Sequence, residues 1–259
     1  MEIYKTIKPH LLDNIENFSK KHKLSLSSKI RKEKNLRNLE SLLTEAHFGL
    51  YFDEIGSNIK YNTKISEDLT PDYLFQKNGQ QIIAEVVRVN PVQKDMDTDE
   101  EEAKQIEKFE KENPGKYFIT NPQSITWRPD KLIGQKGAIA SKANRYQNAV
   151  EKEGKPFIVC VLMSFISGLD AMDLTHGLYG SETELCGEHE AHGYVFGAPF
   201  HILDSALFYN NKAVRETVSG VLLKDHDGSF GFFANFASTN KFNTKNWDFF
   251  QSLQRPIVI

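Results

Sequence analysis

The feature that most constrains the fold is an apolar run that contains one acid. The run extends from Ile82 to Val89, is rich in β-branched residues, and carries Glu85 near its middle. Such a run predicts a buried strand. An ionised carboxylate in apolar surroundings is strongly destabilising unless a cation or hydrogen-bond donors replace the lost water. A chain that keeps Glu85 inside such a strand therefore has a use or a partner for it.

A second acid is predicted to approach this strand. The short run Tyr73–Phe75 precedes it, and the turn between them contains Asn78-Gly79, the strongest short signal for a β-hairpin. Antiparallel pairing brings Asp72, at the start of the first strand, toward the strand that carries Glu85. Two neighbouring carboxylates repel each other, and a divalent metal held by both relieves the repulsion. The two acids are therefore candidates for a shared metal site.

The remaining periodicity predicts an α/β protein. A strand, a long crossover and another buried strand indicate that arrangement. The expected helices cover residues 10–55, ending near Gly56, and 131–153, and the further strands cover 59–65, 156–163, 218–224 and 230–236. The last two strands form a second hairpin. Residues 167–215 show no clear period and receive no assignment.

Composition indicates a globular protein without a strong overall charge. Of the 259 residues 39% are hydrophobic, and the formal net charge is -3, so any nucleic-acid contact must come from a local patch. No repeat or linker divides the chain, and we expect one elaborated domain over residues 1–259. The N-terminus lacks a signal-peptide core, and the longest apolar stretch, 156–166, is shorter than the roughly 20 residues that cross a bilayer. Two cysteines suit a reducing compartment, so we expect a cytoplasmic protein without a disulfide or a membrane span.

Two segments are dense in charge. Between Lys20 and Arg37 there are eight basic residues and one acid, which indicates either a phosphate-contacting surface or a solvated helix face. Residues 95–112 contain nine acids and three lysines. They predict an exposed helix or an insertion, and we expect this segment to lie away from any phosphate backbone.

The central motif resembles that of a known superfamily. Pro71-Asp72, twelve intervening residues and Glu85 in a predicted hairpin, after a helix that bears Glu45, resemble the PD-(D/E)xK nucleases. The resemblance covers about residues 40–165. It implies a restriction-endonuclease-like core, a central mixed β-sheet flanked by helices in the order helix, three antiparallel strands, helix, strand. Residues before the core would be an N-terminal helical extension, and residues 166–259 a C-terminal extension with insertions.

The resemblance also implies a function and a set of site residues. Asp72 and Glu85 match the metal-binding carboxylates, and the backbone carbonyl of Val86 matches a frequent third ligand. Glu45 matches the acid that often completes the site. Oxygen ligands of this kind favour Mg²⁺ or Mn²⁺. The activity implied is metal-dependent hydrolysis of DNA phosphodiester bonds, in restriction or phage defence. A homodimer would suit cleavage of both strands.

One position departs from the family pattern. Lysine stands two residues after the strand acid in the family, whereas this chain has Val87 there. Residues two apart on a strand face the same side, so an apolar group lies where an ammonium would stabilise charge on phosphorus. Some similar chains supply the cation from the following helix. Lys142 is the best candidate here, because Ile139 and Tyr146, about one helical turn away, are predicted to face inward.

Other interpretations of these residues stay open. Loss of the strand lysine would suit a non-catalytic relative that binds nucleic acid or serves as a scaffold subunit. Glu85 could also be paired with a core lysine or arginine in an α/β protein unrelated to nucleases. A separate segment, Cys186 to His192, offers one thiol and two imidazoles, but zinc requires four ligands and a lone cysteine is a poor match.

Overall fold

A six-stranded mixed sheet with helices on both faces forms the centre of the molecule, which confirms the α/β class. The computed structural model describes residues 7–66, 69–88, 108, 130–162, 171–180, 186–187, 195–196, 206–224 and 228–253. The strands of the main sheet are β1 (Ser57–Tyr61), β2 (Tyr73–Lys77), β3 (Gln80–Arg88), β4 (Phe157–Leu162), β7 (Gly220–Lys224) and β8 (Phe230–Ala234), and a separate pair is formed by β5 (Cys186–Gly187) and β6 (Val195–Phe196).

The order across the sheet is β1-β2-β3-β4-β7-β8. The first three strands pair antiparallel, β3, β4 and β7 run parallel, and β8 returns antiparallel to β7. The helices are α1 (Pro9–His22), α2 (Leu26–Lys32), α3 (Leu36–Ile55), α4 (Asp130–Ile133), α5 (Ala138–Glu153), α6 (Ala171–Tyr179), α7 (Leu207–Asn210), α8 (Lys212–Thr217) and α9 (Thr244–Ser252).

The single helix predicted over residues 10–55 is wrong, because three helices occupy this region. After α1 the backbone at Lys23 is left-handed, with φ of 55°, and this turns the chain. Asn35 then starts α3 by accepting a hydrogen bond from the backbone N–H of Asn38 at 3.2 Å, a common way of capping a helix. The predicted end is confirmed, since α3 stops at Ile55, immediately before Gly56.

Both predicted hairpins are present. β2 and β3 pair from Tyr73 opposite Ala84 to Lys77 opposite Gln80, and the turn residues Asn78 and Gly79 have φ of 46° and 76°. Positive φ at both positions is what a two-residue hairpin turn of this type requires. The second hairpin consists of β7 and β8. The buried strand predicted at 156–163 is β4, which pairs on both edges.

The side chains of β3 alternate between two hydrophobic cores. Ile83 and Val87 face the core that contains α5, whereas Ile82 and Ala84 face the core that contains α3. By the same alternation Glu85 projects to the α5 face. The acid therefore emerges beneath the helix from which we expected a lysine.

Some predicted boundaries differ from the structure. The strand expected at 59–65 ends at Tyr61, and the helix expected over 131–153 consists of α4 and α5 separated by residues 134–137. Most of the acidic segment 95–112, except Lys108, lies outside the described residues, as do residues 188–192 of the cysteine and histidine segment. Within the described ranges, no helix combines the length and apolar character needed to cross a membrane.

Candidate functional site

The candidate site lies at the open end of the β2–β3 hairpin, opposite its turn. β2 begins at Tyr73, whereas β3 continues past their last pair to Arg88 and there keeps β4 as a neighbour. Asp72 precedes β2, and its carbonyl accepts the N–H of Asn62 at 3.0 Å. This end of β3 thus exposes backbone groups that β2 does not pair, with Asp72 fixed beside them.

Asp72 and Glu85 are joined by two reciprocal hydrogen bonds. The backbone N–H of Asp72 donates to Glu85 Oε2 at 3.1 Å, and the backbone N–H of Val86 donates to Asp72 Oδ2 at 2.8 Å. Each carboxylate therefore accepts a hydrogen bond from backbone at or next to the other acid. The structure brings together the two carboxylates that the sequence proposed as neighbours.

Two side chains of α5 hold Glu85 from the opposite side. Lys142 Nζ donates to Glu85 Oε1, and the hydroxyl of Tyr146 donates to Oε2 at 3.1 Å. The side chain of Glu85 is 4% exposed and that of Lys142 is 28% exposed. The buried carboxylate is therefore compensated by an ammonium that still reaches solvent, as expected for a lysine that points at the sheet.

The negative charge of Asp72 is unfavourable in the folded protein. Burial, together with the nearby carboxylates of Glu85 and Glu45, raises the pKa of Asp72 to about 7. The Val86 N–H and the charge of Lys142 lower the pKa of Asp72 but do not cancel the increase. Three carboxylates thus influence one another around Lys142, and an added cation would relieve the excess negative charge.

Glu45 lies at the edge of this cluster, on α3. Its carboxylate accepts a hydrogen bond from the hydroxyl of Tyr61, and its backbone carbonyl accepts one from Tyr73 at 2.9 Å. Burial raises the pKa of Glu45, and the charge of Glu85 adds to the effect. The structure places Glu45 within electrostatic reach of the pair but assigns its carboxylate to a tyrosine, so its role as a metal ligand stays a prediction.

The oxygen donors fit a small hard cation in part. Across the described ranges, no group of three His, Cys, Asp or Glu side chains is placed to hold a metal. Asp72 and Glu85 supply two carboxylates. Since the N–H and C=O of a strand residue point to the same side, the Val86 carbonyl lies on the same edge of β3 as the Val86 N–H, which is bonded to Asp72. Two carboxylates and one carbonyl make a set that suits Mg²⁺ or Mn²⁺, completed by water.

The structure shows which position can bring a lysine ammonium to Glu85. Val87 is 4% exposed and packs in the core beneath α5. These apolar surroundings favour an apolar residue at this position. Lys136 is exposed in the segment before α5. Lys142 is the lysine that reaches Glu85.

Sequence reasoning identified Tyr146 as an inward-facing residue but missed its role. Its hydroxyl reaches Glu85, while its ring stacks on Phe157 with centroids 5.0 Å apart. The available signal was its spacing of four residues from Lys142, which puts both on one face of a helix. Tyr61 was missed entirely, because nothing in its local sequence indicates a contact with Glu45 on another element.

Comparisons of the chain with protein-family models, with curated proteins and with solved structures found no match. The function is therefore inferred from the geometry of the site.

Proposed function

We propose that the protein is a metal-dependent endonuclease that hydrolyses DNA phosphodiester bonds. The observation that carries the proposal is the convergence of Asp72 and Lys142 on Glu85 at the open end of the hairpin. Two acids and one partly exposed ammonium at one point are the groups that such hydrolysis needs. The burial of Glu85 beside a partly exposed lysine distinguishes this pair from an ordinary surface ion pair.

The order of elements around the site supports the same proposal. Helix α3 is followed by three antiparallel strands, β1 to β3, and α5 is followed by β4, which pairs parallel to β3. This is the order that the resemblance to PD-(D/E)xK nucleases implies. A restriction-endonuclease-like core, with α1 and α2 as its N-terminal extension, is therefore part of the proposal.

Each residue receives a role from its contacts. Asp72, Glu85 and the Val86 carbonyl would hold Mg²⁺ or Mn²⁺, which when bound polarises phosphate oxygens and lowers the pKa of water. Lys142 would stabilise negative charge that develops on the phosphate. Tyr146 keeps Glu85 oriented through its hydrogen bond. Glu45 contributes negative charge from the edge of the cluster.

The substitution of valine for the usual strand lysine is consistent with activity in this arrangement. An ammonium at Val87 would have to fit into the core beneath α5, where burying it is costly. Lys142 brings the same charge to Glu85 from the helix. This favours the enzyme over a relative that has lost its catalytic cation.

Plasmid cleavage tests the proposal. Purified protein is incubated with supercoiled plasmid and Mg²⁺ or Mn²⁺, alongside Glu85→Gln, Lys142→Ala and the matched control Lys152→Ala, an exposed lysine on the same helix. We expect wild type and Lys152→Ala to nick or linearise the plasmid, and the two site variants to lose roughly 10²-fold or more in rate. EDTA should abolish cleavage in all of them.

The alternatives give different results. Cleavage that survives Glu85→Gln would contradict the proposal, whereas cleavage that survives Lys142→Ala would remove only that residue from the mechanism. DNA binding by a wild type that does not cleave would favour the non-catalytic relative. Linear product without a nicked intermediate, together with a dimeric elution volume, would support a symmetric pair.

The buried free thiol of Cys160 suits the proposed cytoplasmic location.

A further inference from the structure

The segment formed by α4 and most of α5 is basic. Between residues 131 and 150 the chain contains four basic residues and no acid. Lys142 belongs to the candidate site, whereas Lys131, Lys136 and Arg145 are exposed. In the part of the chain that the structure describes, these three side chains form no ion pair. Together they form a surface that we call the α4–α5 basic surface.

This surface lies at the same end of the sheet as the candidate site. Helix α5 leads into β4, which begins beside Ile83, in the half of β3 nearer the hairpin turn. The C-terminal end of α5 therefore lies toward the turn, and its N-terminal end lies toward the open end. The contact of Lys142, in the first half of α5, with Glu85 agrees with this direction. Lys131 and Lys136 precede α5 and so belong to the open end.

Arg145 is the member of this surface closest to the site. It follows Lys142 by three residues, so the two side chains are neighbours on the helix. Its guanidinium lies 5.9 Å from the centre of the Tyr146 ring, and the hydroxyl of Tyr146 donates to Glu85. Burial raises the pKa of Tyr146, and the charge of Arg145 acts in the opposite direction. Arg145 thus brings a positive charge to the solvent side of the buried carboxylate.

The basic residues of α1 and α2 differ, because acids accompany them. Lys21 pairs with Asp53, and Arg31 pairs with Glu16. Such pairs reduce the positive charge that these helices present to an anion from outside. The cations beside the candidate site, which have no acid among them, are therefore the better match for a chain of phosphates.

We infer that the α4–α5 basic surface binds the phosphate backbone of the DNA duplex that is cut at the Asp72–Glu85 site. The inference rests on the proposed function and adds the surface that holds the substrate. Lysine and arginine contacts to phosphate give affinity and fix the position of the duplex, but they do not read its sequence. Arg145 would hold a phosphate next to the scissile one, and its charge offsets the repulsion between DNA and the acids of the site.

Binding without cleavage tests this surface separately from catalysis. Fluorescence anisotropy with a short labelled duplex, in EDTA and over a series of salt concentrations, is measured for wild type and Lys136→Ala/Arg145→Ala. The matched control Lys241→Ala/Lys245→Ala removes the same charge from exposed positions at the turn end of the hairpin. We expect only the first variant to bind more weakly. Its plot of log K against log salt should be flatter by roughly 1.8, the contribution of two contacts to duplex phosphate.

Two further measurements separate charge from folding and from sequence. Lys136→Arg/Arg145→Lys should bind like wild type, because both charges are kept. The alanine variant should unfold at the same temperature as wild type, because both side chains are exposed. Its loss of affinity should be the same for a second duplex of unrelated sequence, because the contacts are to phosphate.

The failure of this inference is distinguishable from the failure of the proposed function. Equal salt slopes in Lys136→Ala/Arg145→Ala and the control would overturn the inference even if wild type cleaves plasmid, as would the absence of duplex binding by wild type. Loss of binding in that variant alone, for a duplex that wild type never cleaves with Mg²⁺ or Mn²⁺, would support the basic surface and contradict the nuclease.

Discussion

The two ends of the β2–β3 hairpin provide partners for their polar side chains in opposite ways. At the turn, Asn246 of α9 accepts a hydrogen bond from the side chain of Asn78 at 2.9 Å and donates one to the carbonyl of Lys77 at 2.9 Å. Asn243 adds a bond from its backbone N–H to Gln80 at 2.8 Å. At the open end, the partly buried Asp72 and the buried Glu85 are carboxylates held by backbone N–H groups and by Lys142.

The difference is one of donors and acceptors. An amide both donates and accepts, so a cluster of amides satisfies itself and stays neutral. A carboxylate only accepts, so two of them cannot satisfy each other and require donors or cations from outside. The amides at the turn therefore stabilise the fold. At the open end, repulsion between the carboxylates destabilises the fold and favours binding of a cation.

The largest effect is expected at Asp72. Asp72→Asn keeps an oxygen for the Val86 N–H but removes the charge that Glu85 and Glu45 oppose. Plasmid cleavage should fall by roughly 10²-fold or more, while the free energy of unfolding above pH 7 should rise by about 1–2 kcal/mol. Urea denaturation measures the second change.

The pH dependence of stability has a definite sign. Because the pKa of Asp72 is raised to about 7 in the folded protein, its contribution to wild-type stability is complete below its unfolded pKa of about 4. That contribution is lost as the pH rises through the folded value. Asp72→Asn should lack this decline. A variant that is destabilised at every pH would contradict the electrostatic description of the open end.

The reverse pattern is expected at the turn. Asn246 is 0% exposed, and Asn246→Ala leaves partners of the hairpin turn without their hydrogen bonds. The free energy of unfolding should fall by roughly 2–3 kcal/mol, with cleavage per folded molecule unchanged. Lys245→Ala, its exposed neighbour on α9, should alter neither property. Loss of cleavage in folded Asn246→Ala would show that the two ends are not separate.

Substitution of Lys142 is expected to change Mn²⁺ affinity and cleavage rate in opposite directions. Its ammonium occupies Glu85 Oε1, a position that a cation at the site would also use. Lys142→Met should therefore bind Mn²⁺ several-fold more tightly by titration calorimetry, although its cleavage is lost. Weaker Mn²⁺ binding in this variant would mean that the lysine supports the cation site and does not compete with it.

The smallest effect is expected at Tyr146. Tyr146→Phe keeps the ring stack on Phe157 and removes the bond to Glu85, which should cost about 1 kcal/mol of stability and lower the cleavage rate a few-fold. Tyr179→Phe removes a comparable bond, to the carbonyl of Ala234 at 2.8 Å. The control should lose similar stability without a change in rate or in its pH profile. Equal rates in both variants would leave Tyr146 only a structural role.

Local signals predicted the parts of the fold that depend on neighbours in sequence. Asn78-Gly79 specified the hairpin, and this placed Asp72 beside Glu85. The breaks after α1 and before α3 were missed, because the apolar periodicity continues across Lys23 and Asn35 while the turns depend on backbone conformation and a single cap. Local propensity does not distinguish one long helix from three that pack together.

Contacts between elements distant in sequence were predictable only where the apolar periodicity of a helix or strand showed which way its side chains point. Lys142 could be aimed at the sheet because the helix face was clear from Ile139 and Tyr146. The hydrogen bond from Tyr61 to Glu45 and the amide cluster around Asn246 join elements far apart in the chain, so no periodicity indicates them.

Mn²⁺ titration of wild type and Asp72→Asn by isothermal calorimetry, above pH 7 and without nucleic acid, tests the central claim most directly. The claim is that Asp72 and Glu85 jointly hold one divalent cation. It predicts one saturable site per protomer in wild type and at least about tenfold weaker binding in Asp72→Asn, because even changes at the hydrogen-bonded partners of metal ligands weaken binding by about 10- to 100-fold. Absence of saturable binding in wild type, or equal affinity in the two proteins, would contradict it.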